Sequence, residues 1–450
     1  MKIESVKSFI LVVLIGISLL LSLTLWSYQP NSDRTIGGEV VNNEIDDVGG
    51  SSDKSKNSLI KPTDIIFHTS DRYYGFVQAE AKGALYEQMQ EWVITNFEPD
   101  AGERSFATSQ NGVELTFADA IPMEVINTLF NFGQEENNYP SWSMNRIFIS
   151  FIPESKSLNL EFISDEDNNT ARAVINATEP YEDLSSIINT LDDGKLQRYL
   201  AINEDTSAIY IPEEPVSLPI HSITPTEINP SLFVNILFAN PSVVRETTSA
   251  SIGEAYFTDN RQMNVYQDRM RMEYVNHVEP SIEDKMLITE VDLLDQSIKS
   301  INSHSGWTEE YRLEDIDLEN GRVSFQMYYE GYPVFSNKLS TIQQRWTMQQ
   351  SNMQLQLIEY DRPLYILGSK FKLREADDLA SGENVITYLE NNTDVVLENI
   401  EDIKVGYELK YQRDDPESEY IELDPAWYKK ENNMWQRIVF DELSNPKGVE

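Results

Sequence analysis

Four histidines, His68, His221, His277 and His304, and a large excess of carboxylates are the side chains with which this chain could do acid–base or metal chemistry. The histidines lie far apart, and none has a partner at a metal-ligand spacing such as H-x-x-x-H. Each is therefore read as a surface or packing residue. Cysteine is absent, which excludes disulfides, thiol catalysis and thiolate metal sites. The stretch "DEDNNT", Asp165 to Thr170, starts like a calcium loop, with Asp165, Asp167 and Asn169 at alternate positions. Such a loop needs Gly at its sixth position and a bidentate Glu at its twelfth, where this chain has Thr170 and Asn176. A polar hairpin turn describes it better. No G-x-S-x-G or phosphate loop occurs, and no S-x-x-K is accompanied by S-D-N or K-T-G. A glycosidase needs one carboxylate pair, and among so many Asp and Glu no pair stands out. The residues single out no catalytic group, no metal and no cofactor, and the chain is read as a non-enzyme.

With 35 basic and 75 acidic residues the net charge is −40. Such a body repels nucleic acid and anionic lipid headgroups, so neither is a plausible ligand. A hydrophobic share of 40% with 10% aromatics points to folded, core-bearing domains rather than disorder. An exported protein without disulfides fits a bacterium that builds none at its surface.

The N-terminus carries the most informative element. Phe9 to Leu25 is almost wholly apolar, preceded by Lys2 and Lys7 and followed by Trp26 and Tyr28. At about 1.5 Å per residue, Ser8 to Trp26 covers roughly 28 Å, close to one hydrocarbon core. Lysines before the span favour a cytoplasmic N-terminus, and Trp26 and Tyr28 suit the headgroup level. The exit lacks the small residues of a cleavage site. The expectation is an uncleaved single-pass helix over 8–28, a cytoplasmic tail over 1–7 and everything later outside the cell membrane. Ser18 and Ser22 stand four apart on one face, with Leu11, Ile15 and Leu25 continuing the stripe. Small residues so spaced let another membrane helix approach closely. An ordinary anchor whose serines bond to their own helix is the competing reading.

Beyond the anchor, residues 29–58 are rich in Gly, Ser and Asn and are read as a flexible tether. The expected fold class is α+β: antiparallel sheets with packed helices in several extracytoplasmic domains, bounded at 59–212, 213–282 and 283–450. Helices are predicted over 78–95, with Leu85, Met89, Trp92 and Val93 on one face, and over 181–192, stopping at Gly194. Strands are predicted at "RIFISFIP" and at "SLNLEFIS", where Leu158, Leu160 and Phe162 alternate. "PMEVINTLF" (Pro122 to Phe130) and "PSLFVNILF" (Pro230 to Phe238) share Pro, an apolar pair, Asn and Leu-Phe. Nine residues can match by chance, so domain duplication and coincidence both stand. The C-terminal part reads as two helix-then-sheet units. In the first, Leu287, Val291, Leu294, Ile298 and Ile301 lead into "VSFQMYYEGYPVFSN". In the second, "ENVITYLENN" leads into "IKVGYELKY" and "YIELDPAWYKKENNMW".

"ESVKSFILVVLIGISLLLSLTLWSYQP" resembles the start of the YycH (WalH) family, and "KPTDIIFH", "NILFANPSVVRE", "AYFTDNRQMNVY" and "YEGYPVFSN" resemble later family landmarks. The similarity spans nearly the whole chain. "GYPVF" is also similar to YycI proteins and PepSY-type domains. The resemblance implies a non-enzymatic regulator in Gram-positive bacteria, which acts with YycI on the sensor histidine kinase YycG (WalK) of cell-wall metabolism. It implies a YycI- or PepSY-like C-terminal region and no catalytic residue. Leu11, Ile15, Ser18, Ser22 and Leu25 would then be the membrane contact face, with Lys2, Lys7, Trp26 and Tyr28 at the interface. A homodimer stays open. So does an extracytoplasmic binding or protease-inhibitor-like module that recognises a cell-surface ligand.

Overall fold

Period-two alternation builds the first domain. In a computed structural model, residues 47–440 are described apart from 71, 103–110, 134–137, 166, 192–193, 204–207, 250–252, 267–268, 278–287, 337, 350–353, 394 and 414–418. A short helix α1 (Lys56–Leu59) precedes β1 (Asp64–Thr69), β2 (Arg72–Phe76), α2 (Ala79–Glu91), β3 (Thr95–Glu98) and β4 (Gly112–Pro122). A 3-10 turn (Met123–Val125) runs into α3 (Ile126–Leu129). Then come β5 (Ser143–Ile152), β6 (Ser157–Ile163), β7 (Thr170–Ile175), α4 (Thr178–Asn189), β8 (Leu196–Ile202) and β9 (Ile209–Pro212). These strands form one sheet in the order β3-β7-β6-β5-β4-β1-β2-β8-β9. The register sets Ile65, Leu115, Ile147 and Phe162 side by side, and Phe67, Val113, Ile149 and Leu160 beside them. All are buried, with Leu85, Met89 and Leu184 of the helices in the same core. Each side chain so covered contributes about 1.5–3 kcal/mol.

The second domain begins with β10 (Ile220–Glu227) and α5 (Pro230–Leu237), a 3-10 turn (Pro241–Val243), β11 (Arg245–Ser249), β12 (Gly253–Phe257), β13 (Arg261–Tyr266) and β14 (Arg271–Asn276). Helix α6 (Glu290–Asn302) leads into β15 (Glu310–Asp317), β16 (Arg322–Tyr329), β17 (Tyr332–Phe335), β18 (Thr341–Gln349), β19 (Gln354–Pro363) and β20 (Tyr365–Arg374). Helix α7 (Gly382–Asn391) leads into β21 (Ile400–Arg413), β22 (Glu419–Glu431) and β23 (Met434–Arg437). The two helix-then-sheet units are therefore present. Thr289 caps α6 and closes a capping box with Asp292, two reciprocal bonds that satisfy orphan N–H groups. Its serines Ser297 and Ser300 are buried against the sheet and bond to Trp346 and Gln344.

Several expectations need correction. The middle domain at 213–282 is not separate: β14 pairs with β19, and β10 pairs with β20 and β22, so its strands belong to the C-terminal sheet. That sheet is not wholly antiparallel, because β17 runs parallel to β21 at Val334 and Tyr407. The helix expected over 78–95 ends at Glu91, where Trp92 turns extended, and Val93 is exposed and bridges to Asn131. The helix expected over 181–192 spans Thr178–Asn189, and Gly194 takes its positive φ in the turn to β8 rather than as the cap. Leu287 lies outside the described residues.

The proposed tail, anchor and first part of the tether also lie outside the described residues, among which no helix is long and apolar enough to cross a membrane. The end of the tether is not free. Val48 is buried, and the N–H groups of Val48, Gly50 and Ser51 donate to His304, Ser305 and Trp307. Asn302 exchanges bonds with Lys54, and Lys56 pairs with Asp295 at 2.7 Å.

The Pro122 and Pro230 segments each open a helix that is followed by an antiparallel meander, β5-β6-β7 and β11-β12-β13-β14. They differ just before the helix. β4 pairs with β5, whereas β10 leaves the meander and crosses to β20 and β22. The likeness is of helix plus meander, not of the strand order around the helix.

Candidate functional site at the seam between the domains

None of the residues expected to act in the membrane, Leu11, Ile15, Ser18, Ser22, Leu25, Lys2, Lys7, Trp26 and Tyr28, falls among the described residues. Within those residues no group of three or more His, Asp and Glu could hold a metal ion. His68, His221 and His304 are buried packing residues, and His277 is exposed. Burial and the nearby Arg362 guanidinium push His304 down to about 3, so it stays neutral and meets the Tyr360 hydroxyl at 3.0 Å.

The polar core of the first domain lies on the sheet face opposite its apolar core. Glu114 on β4 is flanked in the register by Ile66 and Phe148. His68 Nε2 lies 2.8 Å from its carboxylate, the Tyr210 hydroxyl donates to it at 2.7 Å, and Arg146 pairs with its other oxygen. Arg146 also donates to Asp165 at 2.6 Å and to the Ala208 carbonyl at 2.8 Å. Burial alone would raise the Glu114 carboxyl, but the His68 hydrogen bond, the Arg146 charge and the Tyr210 hydroxyl outweigh it and hold the group at about 2. A carboxylate so committed is a poor general base, because its proton affinity is spent on fixed donors. It acts as a structural tie. Asp165, read as part of a polar hairpin, does sit in the β6–β7 turn, yet it also anchors Arg146 and accepts from Asn145 at 2.9 Å.

This tie faces a seam where the domains meet. Asp119 Oδ2, on β4, accepts the Ile316 N–H of β15 at 2.7 Å. Ser143 donates to Glu290 at the start of α6, and Asn203 to the Leu397 carbonyl. Ile202, Ile209 and Ile211 of the first domain share a small core with Val385, Leu389, Ile403 and Trp427 of the second. Gly331, in the turn of "YEGYPVFSN", takes φ +81° with Ala79 of α2 so close that an added Cβ would lie 2.3 Å from its Cβ. Two of the segments expected as family landmarks thus lie at the junction: "GYP" on one wall, Thr63 and Asp64 of "KPTDIIFH" on the other.

Two clefts follow this seam and meet at Thr63, Asp64 and Tyr210. The first, about 80 Å³, is walled by Phe76, Tyr199, Tyr328, Tyr332 and Trp427 with Lys82 at its base. Burial lowers the Lys82 ammonium, with partial relief from Asp64 at 3.6 Å. The second, about 520 Å³, is polar and includes Asp119, Arg146, Asp165, Glu401 and Lys430. Burial pushes Asp119 up to about 6 despite the backbone N–H groups of Ile316 and Ala120. Most of these charges are already paired within the protein, so the seam is a joint more than a reaction centre.

Sequence reasoning found none of these groups as a set. A local signal exists for some of them: Glu114 in "GVELTF" and Arg146 in "NRIFISF" are charges inside strongly apolar strands. Such charges must find partners when both faces of the sheet are covered.

The chain matches the family model for the YycH protein N-terminal domain over residues 4–193 and the YycH protein C-terminal domain over 206–444. That division falls ahead of the break between the two sheets: β9 lies within the second match yet belongs to the first sheet, and the second sheet begins at Ile220. It is 23% identical, over 98% of both chains, to the "Two-component system WalR/WalK regulatory protein YycH" of Bacillus subtilis (strain 168). Its fold is similar to the crystal structure of YycH from Bacillus subtilis, with a TM-score of 0.68 at 17% identity, covering 87% of this chain and 98% of that one. With both family models matched end to end, the chain belongs to the YycH family.

Proposed function

We propose that this protein is a non-enzymatic regulator of a two-component system, anchored by one membrane helix with its body outside the cell. Its target is the sensor histidine kinase YycG (WalK), on which it acts together with YycI. The observation that carries this reading is the full-length similarity to a protein named as a regulator of the WalR/WalK system. The seam supports it, because two domains that share a core and a set of cross-domain hydrogen bonds form a rigid contact body. In this reading the apolar span Phe9 to Leu25 is the part of the chain that enters the bilayer, so coupling across it runs through the helix. Its contact face is Leu11, Ile15, Ser18, Ser22 and Leu25, where small residues allow close packing. The C-terminal pair of helix–sheet units is the YycI- or PepSY-like part of this reading.

The test is cross-linking in the native membrane with identification of partners, combined with output from wall genes. Replacing Ser18 and Ser22 together by Leu should weaken association with the kinase and change that output, whereas replacing both by Ala should do little. Full function with an unrelated anchor would place regulation in the extracytoplasmic domains instead.

A further inference from the structure

The strands of "AYFTDNRQMNVY", singled out in the sequence, take no part in the seam. β11, β12 and β13 form the outer end of the large sheet, with β11 as its edge. One face of this meander is core: Tyr256, Met263, Val265 and Tyr274 are buried. The other face is a groove of about 440 Å³ that includes Thr247, Ser249, Ala255, Phe257, Gln262 and Asn264. The register explains the arrangement. Thr247, Ala255 and Asn264 lie in one row across the strands, and Phe257 stands beside Gln262 in the next. Small residues in the middle row make the floor, and the aromatic ring rises at one side. The Gln262 amide donates to the Asn264 carbonyl at 2.9 Å, which fixes both amides. Arg261 is turned away to the Leu237 carbonyl at 2.8 Å.

The chemistry of this lining is unlike the rest of the molecule. In a chain of net charge −40, Asp259 is the one carboxylate among the eleven described residues that line the groove. Hydroxyls and carboxamides both donate and accept hydrogen bonds, as sugar hydroxyls do. An aromatic ring offers an apolar platform for the C–H face of a pyranose. The volume falls within the roughly 300–1,000 Å³ common to small-ligand sites. A polyanionic polymer would be repelled by the acidic body.

We propose that this groove binds a short, neutral oligosaccharide. The inference does not depend on the kinase reading, since it is tested on the purified chain alone. Calorimetry on the full chain in lipid nanodiscs would use chitotetraose and cellotetraose as probes, with polygalacturonate and a neutral extended peptide as comparisons. Saturable binding of at least one neutral tetrasaccharide is expected, with no binding of polygalacturonate. Phe257→Ala and Asn264→Ala should each weaken it about tenfold, equivalent to one ring-stacking or hydrogen-bonding contact. Thr247→Arg, at an exposed position on the edge strand, should block the groove and abolish binding without changing the thermal midpoint. That variant decides the matter if Phe257→Ala proves unstable. No saturable binding of either sugar at millimolar concentration would overturn the proposal. So would binding that Thr247→Arg leaves intact, or binding of the peptide in place of the sugars.

Discussion

Asp119 and Ile316 are far apart in sequence, yet the carboxylate of one accepts the backbone N–H of the other at 2.7 Å and ties β4 to β15. Burial raises the Asp119 carboxyl from its ordinary 3.8 to about 6. The folded chain thus holds this proton more tightly than the unfolded chain does. The cost of ionising it in the fold is absent below pH 3.8, grows up to pH 6 and is complete above. Asp119→Asn keeps an acceptor and removes the titration. Relative to wild type, the variant should gain about 1–3 kcal/mol on going from pH 4 to pH 7.5. Urea midpoints of residues 47–450 at both pH values would show it, and a parallel pH dependence of the two proteins would refute it.

Glu114 has the opposite sign. Its folded value of about 2 lies below its ordinary 4.5, so its contribution is fully present above pH 4.5 and is lost as the pH falls through 2. Glu114→Gln should cost about 3 kcal/mol at pH 7, since it leaves His68 and Arg146 short of a buried charge. The gap to wild type should narrow between pH 4.5 and pH 2. A gap that stays constant would mean that the carboxylate charge is not what the site uses.

The Gly331–Ala79 approach gives a test by pairs. Gly331→Ala should destabilise the protein by about 1–3 kcal/mol, from both the left-handed φ and the close Cβ. Ala79→Gly in the same chain removes the steric part and should recover a portion, leaving the backbone strain. Additive losses in the double variant would show that the two residues do not press on each other.

Gly50 supplies a local readout. A Cβ there would lie 2.3 Å from the Trp307 carbonyl oxygen, so Gly50→Ala should lift the segment 47–53 from the loop after α6. Limited proteolysis should then cut within this segment faster than in wild type, with little change in the global thermal midpoint. Unchanged cutting would mean that the segment is held by Val48 and Lys56 rather than by its backbone bonds.

The local elements were legible because their signals are local. Leu158, Leu160 and Phe162 alternate, and Leu294, Ile298 and Ile301 recur at helical spacing, so β6 and α6 could be placed from the sequence. Pairing across long separations was not legible. Nothing near His221 announces that it lies opposite Leu373 on one side and Leu423 on the other, so 213–282 reads from the sequence as a domain of its own. Periodicity also cannot see the end of a helix that a contact distant in sequence decides, as at Glu91, where Val93 is drawn off to an isolated bridge with Asn131. The polar tie was hidden for the same reason: His68, Glu114, Arg146, Asp165 and Tyr210 sit on five different stretches and meet through the sheet.

The docked segment at 47–51 also fixes where the body ends as a piece of protein. A protease that cut the chain ahead of Asp47 would leave a body still holding Val48 in its core and its backbone bonds to His304, Ser305 and Trp307. A cut after Ser51 would release one with those carbonyls bared. The two cuts therefore leave two different bodies, distinguished by Asp47 to Ser51 at the N-terminus.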